Sequence, residues 1–119
     1  MADGEPVSRA AFAALVHDVG DDRAFVAELV DSYVLATPRL VAGMREAVRR
    51  GESAALVRYA HELKSTSASL GADRLSALCE DVEVRARHEL LDRDEERVAE
   101  IEAEADRVQV ALRDLTEQP

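Results

Sequence analysis

The final part of the chain carries the pattern that most limits its fold, a run of apolar residues at alternating steps of three and four. The run consists of Val98, Ile101, Ala105, Val108, Leu112 and Leu115. This spacing places every member on one side of an α-helix, as in bundle helices that cross at about +20°. A coiled-coil homodimer would satisfy the same pattern. Because four other amphipathic segments also need a partner, we expect packing within one chain.

Residues that start or end helices divide the rest of the sequence. Glycine adopts the left-handed conformation that ends many helices, and Gly20, Gly51 and Gly71 are placed to do so. Pro38 lacks a backbone N–H, so the second helix either bends or restarts there. The expected N-terminal caps are Ser8, Asp21 or Asp22, Ser53, Asp73, and Asp92 or Asp94. The expected helices span about 8–19, 22–51, 53–71, 73–87 and 94–115.

Length and composition indicate a single all-α domain. The chain has 119 residues, of which 3% are aromatic, with five glycines and three prolines to interrupt helices. We assign residues 1–7 to a polar N-terminal tail and residues 8–116 to the domain. The net charge is −10, from 25 acidic and 15 basic residues. This charge argues against nucleic acid or an anionic membrane as the main partner.

Cysteine content and hydropathy limit the cellular compartments in which we expect the protein. Cys79 is the only cysteine, which excludes an intrachain disulfide and a thiolate metal cluster. It lies in a predicted apolar stripe beside two acidic residues, so we interpret it as a small buried side chain rather than a reactive thiol. The sequence contains no 18-residue apolar run and no signal peptide. We expect a cytoplasmic protein, and the number of helices favours a monomer.

The most distinctive stretch of the sequence surrounds His61. The buried stripe of the third predicted helix comprises Leu56, Ala60, Leu63, Ser67 and Leu70. At about 100° per residue, His61 lies roughly 140° from Leu56 and therefore away from the core. Ser65 and Ala68 follow on the same side as His61, and their small side chains leave the imidazole open to a large partner.

Two cations flank His61 on the exposed side of the helix. Arg58 precedes it by three residues and Lys64 follows it by three. A neutral imidazole is a nucleophile, and neighbouring cations can neutralise an anionic group that it receives. His17 and His88 lack these neighbours, so we assign them no chemistry. Because the three histidines lie on different predicted helices, we expect no metal site.

The run from Ala60 to Ala72 reads Ala-His-x-Leu-Lys-x-Thr-Ser-x-x-Leu-Gly-Ala. It resembles the phosphoacceptor helix of histidine-containing phosphotransfer domains. The similarity extends upstream through 25–38 and downstream through 75–83, about two thirds of the chain. It implies an antiparallel four-helix bundle, here with an additional short N-terminal helix. One departure is Ser65, because family members usually carry glycine four residues after the histidine.

The resemblance implies that His61 exchanges a phosphoryl group reversibly with an aspartate of a response-regulator receiver domain. The receiver would supply Mg²⁺, so the chain needs no cofactor or ATP site of its own and is a carrier rather than an enzyme. A sensor or hybrid histidine kinase is the other expected partner. The predicted site comprises His61, Lys64 and Arg58, with Ser65, Ala68 and Ala72 at the docking surface. The alternative is a helical adaptor that docks a receiver or kinase without being phosphorylated.

Overall fold

The computed structural model describes residues 5–90 and 92–117, and these residues form helices and no strand. The helices are α1 (Arg9–Asp18), α2 (Arg23–Arg50), α3 (Ser53–Ser69), α4 (Asp73–Arg87) and α5 (Asp94–Thr116). Each lies close to its predicted span, so the all-α prediction is confirmed. Residues 1–4 of the predicted tail lie outside the described part of the chain.

Helix capping follows the predictions at the first two helices and departs from them afterwards. The Ser8 side chain accepts a hydrogen bond from the backbone of Ala11 at 3.1 Å, and Asp22 accepts one from Phe25 at 3.0 Å. The predicted caps of the later helices were wrong. The N-cap residues of α3, α4 and α5 are Glu52, Ala72 and Arg93, and none of them forms a side-chain cap hydrogen bond. Side chains capable of capping stand one residue further on, already inside the helices.

Pro38 lies within α2, which continues as one helix of 28 residues. The sequence left open whether the helix bends or restarts at this residue. Pro38 cannot donate to the carbonyl of Val34, but it lies on the exposed side, where water can solvate that carbonyl. One residue earlier, the Thr37 hydroxyl donates to the carbonyl of Tyr33 at 2.7 Å. The helix therefore passes through the proline without ending.

The four long helices form an antiparallel bundle. α3 and α5 each pack against both α2 and α4, which closes a ring around one core. Short connections join consecutive helices, so each runs opposite to the one before it. Gly51 adopts a left-handed φ of 67° where α2 turns into α3, as predicted.

The short helix α1 lies at the end of the bundle where α3 turns into α4. The Ser8 N–H donates to the carbonyl of Gly71 at 2.9 Å. Gly71 has a φ of 82°, and a Cβ there would lie 3.0 Å from the Cβ of Ala11. Val7 is buried, so the residue at the end of the predicted polar tail belongs to the packed domain.

The core contains the residues that the periodicity selected. Its largest fully buried side chains are Met44, Leu56, Leu63, Leu75, Ile101 and Leu112. The apolar run of α5 is buried from Val98 to Leu112, and Leu115 is half-buried. In the described ranges, no helix combines the length and the apolar character needed to cross a membrane.

Candidate functional site

His61 lies at the midpoint of α3, on the side of the helix that faces away from the core. The buried residues of α3 are Leu56, Ala60, Leu63 and Ser67. They hold the helix against the bundle and leave the His61 side chain 56% exposed. The predicted exposure of this imidazole is confirmed.

Hydrogen bonds to both neighbouring helices hold this part of α3 in place. The Ser67 hydroxyl and the Tyr33 hydroxyl of α2 form a buried hydrogen bond of 2.8 Å. Burial raises the pKa of Tyr33, so its phenol stays protonated. On the other side, the Ser76 hydroxyl of α4 donates to the carbonyl of Lys64 at 3.1 Å. The backbone around His61 is therefore fixed from two directions.

Glu83 of α4 lies directly beneath the imidazole. Its side chain is only 4% exposed, and its Oε2 atom is 3.0 Å from Nδ1 of His61. The same oxygen accepts a hydrogen bond of 2.5 Å from Nη2 of Arg87. The other oxygen, Oε1, lies 2.7 Å from Nζ of Lys64 in an ion pair without hydrogen-bond alignment. A buried carboxylate thus contacts three donors at the site.

These contacts keep Glu83 ionised. Burial by itself raises the pKa of this carboxyl, but the contacts with Lys64, Arg87 and His61 outweigh it and lower the pKa to about 2. An ionised carboxylate only accepts hydrogen bonds, so Nδ1 of His61 must be the donor. In a neutral imidazole the lone pair then lies on Nε2. Because Nδ1 points towards buried Glu83, Nε2 is on the edge of the ring that faces solvent.

Glu83 is a site residue that the sequence analysis did not assign. It lies 22 positions after His61. Helical periodicity within α3 does not predict which residue of α4 contacts His61. One signal was present, because Glu83 is a charged residue next to Val82 on the apolar side of its helix. A buried charge of this kind requires a partner, and the resembling segment ended at this residue.

The other predicted site residues lie at different depths. Lys64 is 26% exposed and joins the cluster through Glu83. Ser65, Ala68 and Arg58 are exposed, which is compatible with their assigned roles. Ala72 is fully buried at the turn into α4, so its predicted place on the docking surface was wrong. The helix ends before Ala72, which breaks the spacing that put it beside His61.

An apolar groove of about 310 Å³ opens beside the His61 helix. It lies between α1, α2 and α3, and its lining includes Leu15, Leu29, Ala36, Leu40, Glu62 and Thr66. Glu62 and Thr66 come from α3 itself, so the helix that carries His61 forms one wall of the groove. Such a concave apolar surface is suited to receiving a partner helix.

The remaining candidates for chemistry do not form sites. His17 and His88 are both exposed and separate from His61. Cys79 is buried, and burial raises the pKa of its thiol to about 12, which suits the packing role predicted for it. Within residues 5–90 and 92–117, no group of three or more histidine, cysteine, aspartate or glutamate side chains is arranged to hold a metal ion.

Comparisons with known proteins agree with the fold. The family model described as "Hpt domain" matches residues 28–111. Among solved structures, the chain is similar to histidine-containing phosphotransfer protein B (HptB) from Pseudomonas aeruginosa PAO1, with a TM-score of 0.85 and 24% sequence identity. That match covers 94% of this chain and 95% of the other. No curated protein sequence matches the chain.

Proposed function

The chain belongs to the Hpt domain family, whose members carry phosphoryl groups in phosphorelays and are not kinases, and on this premise we propose that His61 is the phosphoacceptor. One observation supports this assignment above all. The exposed imidazole of His61 donates through Nδ1 to the ionised carboxylate of Glu83, which leaves the Nε2 lone pair available for attack. The carrier role and the position of the reactive atom therefore agree.

The proposed step is reversible transfer from an aspartyl phosphate of a receiver domain. The Nε2 lone pair forms a bond to phosphorus while the bond from phosphorus to the aspartyl oxygen breaks, and that electron pair returns to the receiver's carboxylate. The proton stays on Nδ1, so the phosphorylated ring carries a positive charge next to Glu83. No proton has to leave His61 during attack, and a general base is unnecessary. With a pKa lowered to about 2, Glu83 is in any case a weak base.

Charge neutralisation falls to the cations around His61. Lys64 follows His61 by three residues on the same helix and reaches the same side. Arg58 lies one turn before His61 and is exposed, so it is available to an anionic group on Nε2. Ser65 lies one turn after His61, and its hydroxyl supplies a further donor. Phosphoryl transfer depends mainly on positioning and charge of this kind.

The partner that this surface fits is a receiver domain. Its Mg²⁺ and its aspartate complete the reaction, so this chain contributes a nucleophile and a docking surface. We assign the apolar groove between α1, α2 and α3 to the receiver, because Glu62, the residue next to His61 on α3, is part of its lining. A sensor or hybrid histidine kinase is the proposed source of the phosphoryl group that the relay carries.

The test is transfer from an isolated receiver domain that has been phosphorylated with acetyl phosphate and Mg²⁺. We expect wild type to gain an acid-labile, alkali-stable label and His61→Gln to gain none. His88→Gln is the matched control, because it removes another exposed imidazole outside the site. If wild type binds several such receivers and none labels it, the adaptor function replaces the carrier function. Binding of His61→Gln, measured by calorimetry, separates loss of chemistry from loss of docking.

A further inference from the structure

The contacts around Glu83 point to a role for Arg87 that follows from the proposed function and extends it. We propose that Arg87 is a positioning residue that keeps Glu83 paired when Lys64 turns from Glu83 to the phosphoryl group on His61. Phosphorylation would then exchange one ion pair for another.

The two oxygens of Glu83 are not equivalent. Oε2 accepts well-aligned hydrogen bonds from His61 at 3.0 Å and from Arg87 at 2.5 Å. Oε1 has only Lys64, at 2.7 Å and without hydrogen-bond alignment. Arg87 is therefore held more specifically than Lys64. Of the two cations, Lys64 is the one whose departure leaves both hydrogen bonds of Oε2 in place.

A phosphoryl group on Nε2 attracts the ammonium group of Lys64. The group carries a charge of about −1.5 to −2, with three acceptor oxygens. Lys64 lies on the same helix as His61, one turn further on, and has a flexible stem with a compact charge. Arg87 is on α4 and its guanidinium already contacts Oε2, so it is less free to follow. The new anion thus competes with Glu83 for Lys64.

The movement of Lys64 depends on what remains at Glu83. Removing the partner of a buried charge is strongly unfavourable because the charge is left uncompensated. Glu83 is 4% exposed, and without Arg87 the departure of Lys64 would leave it with the ring of His61 as its one remaining partner among the described contacts. Lys64 would then stay paired with Glu83, and the phosphoryl group would form no ion pair with Lys64. Arg87 prevents this, since it pairs with Glu83 in both states.

The test follows the ³¹P resonance of the phosphorylated protein as a function of pH, after the receiver has been removed. A nearby ammonium group favours the dianion and lowers the midpoint of this titration. We expect Arg87→Gln to raise the midpoint by about half a pH unit, in the direction and range of Lys64→Gln. Arg87→Lys should restore most of the wild-type value, because it preserves the positive charge.

Arg50→Gln provides the matched control. Arg50 also pairs with a glutamate four residues away, Glu46, at 2.5 Å, but it does so on α2. Its removal deletes the same charge from the same helical arrangement and should leave the midpoint unchanged. An equal shift in Arg50→Gln would show a general charge effect and overturn the proposal.

A double substitution tests whether Arg87 acts through Glu83. In a Glu83→Gln background, no buried charge remains to hold Lys64, so Arg87→Gln should have no further effect. If the shift persists in that background, Arg87 contacts the phosphoryl group directly and the proposal is wrong. It is equally wrong if Arg87→Gln titrates like wild type. Failure of the proposed function looks different, because wild type then carries no phosphohistidine signal at all.

Discussion

Replacing Glu83 with glutamine tests the electrostatics of the site through its effect on folding stability. The pKa of this carboxyl falls from 4.5 to about 2 on folding, against the effect of burial. Each unit corresponds to about 1.4 kcal/mol, so the ionised form contributes at most about 3.5 kcal/mol at neutral pH. His61 and Arg87 are each 56% exposed, and solvent screens their contribution. We therefore expect Glu83→Gln to lower the unfolding free energy by about 1–2 kcal/mol at pH 7.

The pH dependence of this loss identifies its origin. A lowered pKa stabilises the folded state fully above the unfolded value of 4.5, and the contribution disappears as the pH falls through the folded value of about 2. Urea unfolding of both proteins should show a stability difference that is constant above about pH 5 and shrinks towards pH 2.

A control separates this effect from a general loss of charge. Glu80→Gln changes an exposed glutamate of the same helix and should alter stability little at any pH. A difference between wild type and Glu83→Gln that stays the same from pH 7 to pH 3 would refute the argument. That result would mean that Glu83 contributes through packing rather than through its charge.

Three further predictions concern the fold around the site. Tyr33→Phe removes the buried hydrogen bond to Ser67 and should lower the unfolding free energy by about 1 kcal/mol in urea titrations, whereas an unchanged midpoint would show that the bond contributes nothing. Gly71→Ala combines a φ of 82° with a contact of 3.0 Å to Ala11, and should cost more than about 1 kcal/mol in the same assay. The Cys79 thiol, whose pKa is about 12, should resist iodoacetamide at pH 8 until urea unfolds the chain, and rapid native labelling would contradict its burial.

Glu83 also explains how a surface histidine can be both exposed and oriented. A solvated imidazole on an isolated helix rotates freely and exchanges its proton between two nitrogens. Here Nδ1 is held 3.0 Å from a buried carboxylate, which selects one tautomer and one ring orientation. In the proposed function, the same carboxylate lies next to the ring when phosphorylation makes the ring cationic. The metal and the aspartate then come from the partner.

The sequence alone determined the elements of secondary structure and the exposure of His61. Both depend on the helical repeat, which is a local property, so Leu56, Leu63 and the run from Val98 to Leu115 could be assigned from spacing. Gly51 could be placed at a helix end for a similar reason, because its left-handed conformation is a property of glycine. The resemblance to the phosphotransfer family added the proposed role of His61, which spacing does not provide.

Packing between the helices determines which groups meet at the site. The contact of Glu83 with His61 and Lys64 depends on the rotation and axial position of α4 against α3, and these are set by packing between helices. The burial of Ala72 has a similar cause, since the turn into α4 carries it under the bundle end and away from the surface. Spacing within one helix predicts which side of the helix a residue occupies. Which residue it contacts on a neighbouring helix depends on how all the helices pack around the core.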